Sequence, residues 1–234
     1  MAIRPFLAMT AAEMRKNSGF SGKIAWMACH FSPYGLGLSN LPASLPPDSL
    51  LILNDRTPIR GHDPQLICRQ LSECIAALGC GRLLLDFQRP DCSETKDLTK
   101  HLASALPCPV GVTEWYAEDM DCSVFLSPVP PSAPLEEHIV PWVGRDIWLE
   151  IALDGEVITL TEEGAQAAPL IHPDPTVQGF ADEALHCHYQ IQLEDDAAKF
   201  TLWRTREDLE ALIAEAERLS ITAAVGLYQE LRSL

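Results

Sequence analysis

The sequence predicts an α/β fold, a (β/α) TIM-type barrel carrying one or two β-hairpin insertions. Short, near-continuous apolar runs recur along the chain, and amphipathic helix patterns or long crossings separate them. Strands covered on both faces look like this, which is the mark of a parallel sheet. The length of 234 residues is close to the roughly 250 typical of a closed strand–helix barrel. No Gly/Ser-rich or charge-rich linker divides the chain, so residues 23–234 form one barrel domain behind an N-terminal preface, residues 1–22.

Thr10 and Glu13 have capping-box spacing, which starts a short helix in the preface. Residues 23–30 are a buried strand, followed by a Gly/Pro/Ser/Asn-rich loop through Pro47 and a second apolar run at 49–55. The clearest helix comes next. Asp63 caps it, Pro64 suits its first position, and Ile67, Leu71, Cys74, Ile75 and Leu78 line one face. Gly79, which tolerates left-handed geometry, ends it. After the strand at 82–88, Leu98, Leu102 and Leu106 recur at four-residue spacing until Pro107. Residues 109–115 and 122–127 are two further strands.

The pattern then changes. Asp154 and Gly155 lie between apolar runs at 147–153 and 157–160, a hairpin signal, and a second hairpin joins 189–193 to 199–203. Thr205 caps a helix with Leu209, Leu212, Ile213, Ala216 and Leu219 on one face, leading to a last strand at 223–228. Eight barrel strands result if each hairpin supplies one member, with 188–193 or 199–203 taking the seventh place. A seven-stranded, irregular or open sheet is the alternative.

Hydrophobic residues make up 47% and charged residues 21% of the chain, the balance of a folded globular protein. A net charge of −16 repels phosphate backbones and anionic lipid, which argues against nucleic acid and membrane as partners. The N-terminal apolar run is too short for a secretory core, and no run reaches transmembrane length, so the cytoplasm is expected. The eight cysteines contain no Cys-x-x-Cys pair, and Cys74 sits where the helix face wants an apolar residue. Buried free thiols in a reducing compartment fit this, and zinc does not. His186 and His188 share a strand face but lack a defined third ligand. No metal or cofactor is expected, and nothing in the composition sets the oligomeric state.

In parallel barrels the working residues gather at the C-terminal strand ends, where the strand–helix loops converge. That rule selects His30, Asp55, Asp86, Gln88, Glu114, Glu150, Tyr228 and Glu230. Polar residues also mark where strands emerge into solvent, so convergence on one opening is what would separate a site from a rim. Cys29 and His30 are adjacent in a strand and point to opposite faces, so they do not form a nucleophile–base pair.

Two segments carry a family resemblance. Residues 79–88, ending Leu85-Asp86-Phe87-Gln88, resemble the strand signature Asp-Gly-x-Asp-x-Asp-x-Glu of family 18 glycoside hydrolases, the chitinase-like barrels. Residues 200–231 resemble the end of that fold, where an aromatic-rich strand precedes a helix and a last strand ends in Trp-x-Leu. In that family the final Glu is the general acid, and the Asp two residues earlier orients the substrate's N-acetyl group, which attacks the anomeric carbon. Asp86 matches that Asp, but Gln88 stands at the acid position, Gly81 and Leu84 replace the two earlier Asp residues, and Arg82 replaces the Gly. Glutamine can hydrogen-bond a sugar but has no titratable proton to give. Tyr228 takes the place of the terminal Trp that floors the sugar subsite.

The resemblance implies a barrel that binds an amino-sugar or related glycan without standard chitinase hydrolysis. Asp86 and Gln88 would contact the ligand, Tyr228 would stack on it, and Glu114 would line the cleft. A second expectation is an active glycosidase or other hydrolase that pairs Glu114 with Glu150 or Glu194. A third is a protein-interaction scaffold with no small-molecule site, expected if apolar side chains plug the mouth.

Overall fold

The computed structural model describes residues 3–17, 19–35, 37–59, 61–89, 93–170, 179–194 and 196–232. In chain order the strands of the first sheet are β1 (Phe6–Met9), β2 (Ile24–Phe31), β3 (Leu38–Ser39), β4 (Leu50–Asn54), β5 (Arg82–Asp86), β6 (Val110–Thr113), β7 (Ser123–Leu126), β8 (Ile147–Glu150) and, after an insertion, β14 (Ala223–Leu227). Eight of them, all but β3, pair in parallel, and β1 closes the ring by bonding β2 on one side and β14 on the other. The two-residue β3 lies antiparallel on the end of β2.

The helices are α1 (Ala11–Lys16), α2 (Pro64–Leu78), α3 (Ser93–Ala105), α4 (Glu114–Ala117), α5 (Leu135–Ile139), α6 (Arg206–Arg218) and α7 (Tyr228–Leu231). Only α2, α3 and α6 are long. Their ends are those the sequence encodes. Asp63 accepts from the Gln65 amide at 3.0 Å and Gly79 takes φ +64°. Thr10 and Thr205 each form a capping box, with Glu13 and Asp208. Among the described residues, no helix is long and apolar enough to cross a membrane.

Period-two alternation splits every barrel strand between two cores. Leu83 and Leu85 face the helices with Ile67, Leu71, Leu98 and Leu102, whereas Leu84 faces the barrel axis with Phe6, Leu50, Ile52, Phe125, Trp148 and Val225. This two-sided burial is why the strands read as unbroken apolar runs. Each such side chain stabilises the fold by about 1.5–3 kcal/mol relative to exposure. The axis is filled as a packed core. A methyl group on Gly111 would strike the Trp148 ring, so a bare backbone at that position makes room for the indole.

The insertion between β8 and α6 is a separate antiparallel sheet. It comprises β9 (Gly155–Thr161), β10 (Gly164–Leu170), β11 (Phe180–Asp182), β12 (Cys187–Glu194) and β13 (Ala197–Trp203), in the order β10-β9-β13-β12-β11. Two expectations are corrected here. Asp154 and Gly155 are no hairpin turn: β8 stays in the barrel, while β9 starts the second sheet against β10 and β13. The β12–β13 hairpin does form, but neither strand joins the barrel. The eighth member is β1, inside the segment assigned to the preface. Its Phe-Leu-Ala-Met run is completely buried but only four residues long, too short to show a period.

Buried Arg204 ties the insertion to the barrel. Its guanidinium donates to the carbonyls of Val129 and Pro130 after β7, and of Leu185 and His186 in the insertion. His186 pairs with Glu215, and His188 Nδ1 lies 2.9 Å from Asp208 Oδ2, so both imidazoles dock on α6. Seven cysteines are free thiols, of which Cys29, Cys80 and Cys187 are buried; Cys92 lies outside the described residues.

Candidate functional site at the barrel mouth

A cavity of about 560 Å³ opens at the C-terminal ends of the barrel strands, above the apolar plug. Alternation decides what lines it. On β5 the residues 84, 86 and 88 point inward, so Asp86 and Gln88 follow Leu84 out of the core; on β4 Asn54 follows Ile52, and on β8 Glu150 follows Trp148. On β2 a register shift between Trp26 and Cys29 re-aims the strand end. Cys29 is buried in the outer core and His30 enters the mouth, as their opposite directions require.

The mouth is held by polar contacts. Gln88 Nε2 donates to Asp86 Oδ1 at 2.6 Å. His30 Nδ1 sits 2.8 Å from the Phe31 carbonyl, which fixes the proton there and leaves Nε2 to accept from Asn40 Nδ2 at 3.0 Å. Asn40 adopts φ +58°, a left-handed conformation that asparagine tolerates, and Trp26 Nε1 donates to its carbonyl at 2.8 Å. Asp55 accepts from the Arg89 amide at 2.8 Å, orienting the loop after β5. Asn54 Nδ2 donates to the Met27 carbonyl at 3.0 Å.

Of the three carboxyls lining this space, Asp86 and Glu150 project from strands three places apart in the ring, β5 and β8. Burial raises Asp86 above the usual carboxylate range, opposed by the Gln88 hydrogen bond and aided by Asp55. Burial, followed by the charges of Asp86, Asp154 and Glu230, pushes Glu150 from 4.5 up to about 7. Glu150 therefore holds a proton through much of the neutral range. A carboxyl raised into the neutral range beside a second carboxyl in one cavity is a feature that acid/base chemistry uses.

Of the residues selected from sequence, His30, Asp55, Asp86, Gln88 and Glu150 line the one cavity. Three others do not. Glu114 begins α4 and accepts from Ser127 Oγ at 2.5 Å, away from the lining. Tyr228 falls one residue past β14. Its hydroxyl donates to Asn17 Oδ1 at 2.9 Å, and its ring packs edge-on against Phe20 outside the barrel, so the aromatic floor expected there is absent from the lining; Leu227 takes the inward position. Glu230 borders a neighbouring cavity and accepts from the Leu153 amide at 3.0 Å. Sequence reasoning missed Asn40, Asn54, Arg56 and Leu227. Counting twos from Leu50 and Ala223 would have found Asn54 and Leu227; Asn40 depends on a loop closing over the mouth. Among the described residues, no group of three or more His, Cys, Asp or Glu is placed to hold a metal ion.

No family model matches this chain, and no curated protein matches it. Solved structures do. The chitinase from Chromobacterium violaceum superposes with a TM-score of 0.59 at 10% identity, over 96% of this chain and 93% of that one. The spore cortex-lytic enzyme SleL from Bacillus cereus gives 0.56 at 10% identity, over 98% of this chain and 73% of that one. SleL from Bacillus megaterium gives 0.54 at 12%, over 95% and 70%. At these identities the likeness is one of architecture, and the chain has the glycoside hydrolase-like (β/α) barrel fold of those enzymes.

Proposed function

We propose that this chain binds an amino-sugar or related glycan in the barrel mouth and does not carry out standard chitinase hydrolysis. The observation that carries the reading is Asp86 with Gln88, both pointing into one cavity from the end of the fourth barrel strand. Asp86 keeps the position that orients the sugar's acetamido group in the resembled family, and Gln88 removes the proton donor. The polar lining of His30, Asn54, Asp55, Asp86 and Glu150 offers donors and acceptors suited to sugar hydroxyls, which weighs against a plugged interaction scaffold. Calorimetric titration with chitin oligosaccharides tests it. Binding that Asp86→Ala weakens tenfold or more is expected; failure of the wild-type protein to bind these oligosaccharides or their de-N-acetylated forms would refute it.

Glu150 favours a second reading, an active glycosidase. A carboxyl pushed to about 7 keeps its proton on about half of the molecules at neutral pH, the state a general acid needs. The pair would then be Glu150 and Asp86, with Glu114 outside it. A screen of aryl-glycosides distinguishes the two: turnover abolished by Glu150→Gln and unaffected by Glu114→Gln would establish the enzyme.

A further inference from the structure

The charges around the mouth are lopsided. Arg56 is the cation in its lining, on the loop after β4, and Glu150 projects from β8, the strand diametrically opposite in the ring of eight. Three carboxyls share the lining with Arg56, Asp55 and Asp86 from the β4 and β5 ends and Glu150 from β8. Glu150 feels Asp86, Asp154 and Glu230 together, and all three oppose its ionisation. Asp154, Glu156 and Glu230 line a second cavity of about 510 Å³, between residues 128–131 and the first two strands of the insertion. Glu156 Oε2 is buried there with no hydrogen-bond partner. None of these carboxyl groups makes an ion pair within 4 Å among the described residues. Arg204 is close enough to draw on Asp154, but its N–H groups are committed to four backbone carbonyls.

A mouth and a second cavity whose carboxyl groups have no cation paired to them are electrostatically incomplete. A neutral acetamido sugar leaves them so, and an acidic sugar makes the repulsion worse. An ammonium group carries three donors and one positive charge, and can bridge two carboxylates at once. We infer that the glycan taken by this mouth bears a free, protonated amino group: a de-N-acetylated amino-sugar oligomer, seated between Asp86 and Glu150 and continuing toward Asp154, Glu156 and Glu230. The inference rests on the glycan-binding reading above and narrows its ligand class. Glucosamine oligomers satisfy it; N-acetylglucosamine and uronic-acid oligomers do not.

The test compares the tetramers of glucosamine and N-acetylglucosamine by calorimetry at pH 6, in 20 and 200 mM salt. The glucosamine tetramer is expected to bind roughly tenfold or more tightly than its acetylated counterpart, and to weaken as salt screens the pairing. Asp154→Asn and Glu230→Gln keep side-chain shape and remove charge, and both lie outside the lining of the mouth. Each should lower glucosamine-tetramer affinity severalfold and leave the N-acetyl tetramer within about twofold, with circular dichroism confirming the fold. Equal or tighter binding of the N-acetyl tetramer would overturn the inference and leave the glycan reading standing. Failure of both tetramers to bind would remove the glycan reading itself. Glucosamine binding that ignores both substitutions and salt would also overturn the inference.

Discussion

Glu150 makes a quantitative prediction about stability. Its carboxyl rises from 4.5 in the unfolded chain to about 7 in the fold. At about 1.4 kcal/mol per tenfold change in proton affinity this corresponds to about 3 kcal/mol, and the access of water to the mouth trims it to roughly 2–3. The sign follows from where the proton sits. Between pH 4.5 and 7 the native state keeps a proton that the unfolded chain has released, so stability falls as pH rises through that window and levels off above it. Glu150→Gln removes the titration and keeps the shape. Urea denaturation of wild type and variant at half-unit steps from pH 4 to 8.5 isolates the group, because titrations not coupled to Glu150 cancel in the difference. The variant should match wild type near pH 4.5 and exceed it by about 2–3 kcal/mol at pH 8. A difference that stays flat across that range would refute the account of Glu150 as buried and crowded by like charge.

Other substitutions probe the scaffold and the site. Gly111→Ala drives a methyl group into the Trp148 ring and should cost about 1–3 kcal/mol, with a change in near-ultraviolet circular dichroism from the displaced indole. Thr205→Ala removes the side chain that caps α6 and should lower stability by about 1 kcal/mol in a thermal melt. Arg204→Met strips hydrogen bonds from four carbonyls that join the insertion to the loop after β7. It should cost roughly 3 kcal/mol and expose the insertion to limited proteolysis before the barrel. Gln88→Glu returns a carboxyl to the acid position beside Asp86; hydrolysis of a chitin-derived aryl-glycoside should appear, and its absence would show that the remaining signature changes matter more.

Much of this architecture was legible in the chain itself, because helix ends and buried strands are local events. Asp63, Pro64 and Gly79 bound α2, Thr205 starts α6, and the Leu83-Leu84-Leu85 run marks a strand covered on both faces; each signal lies within a few residues of the backbone it shapes. The inward direction of Asp86 and Gln88 follows from the same strand's period of two. Tertiary structure decided which strands are neighbours. Phe6–Met9 closes the barrel through partners in β2 and β14, the latter more than two hundred residues away, while the apolar run at 157–160 leaves for a second sheet although a hairpin signal precedes it. Strand partners are chosen by the shared burial of whole faces, which no short window contains. The same limit governs the site. A one-residue difference in where β14 ends places Leu227 in the mouth and Tyr228 outside, and the crowding that shifts Glu150 exists only because β5, β8 and the loops after β8 and β14 come together in space.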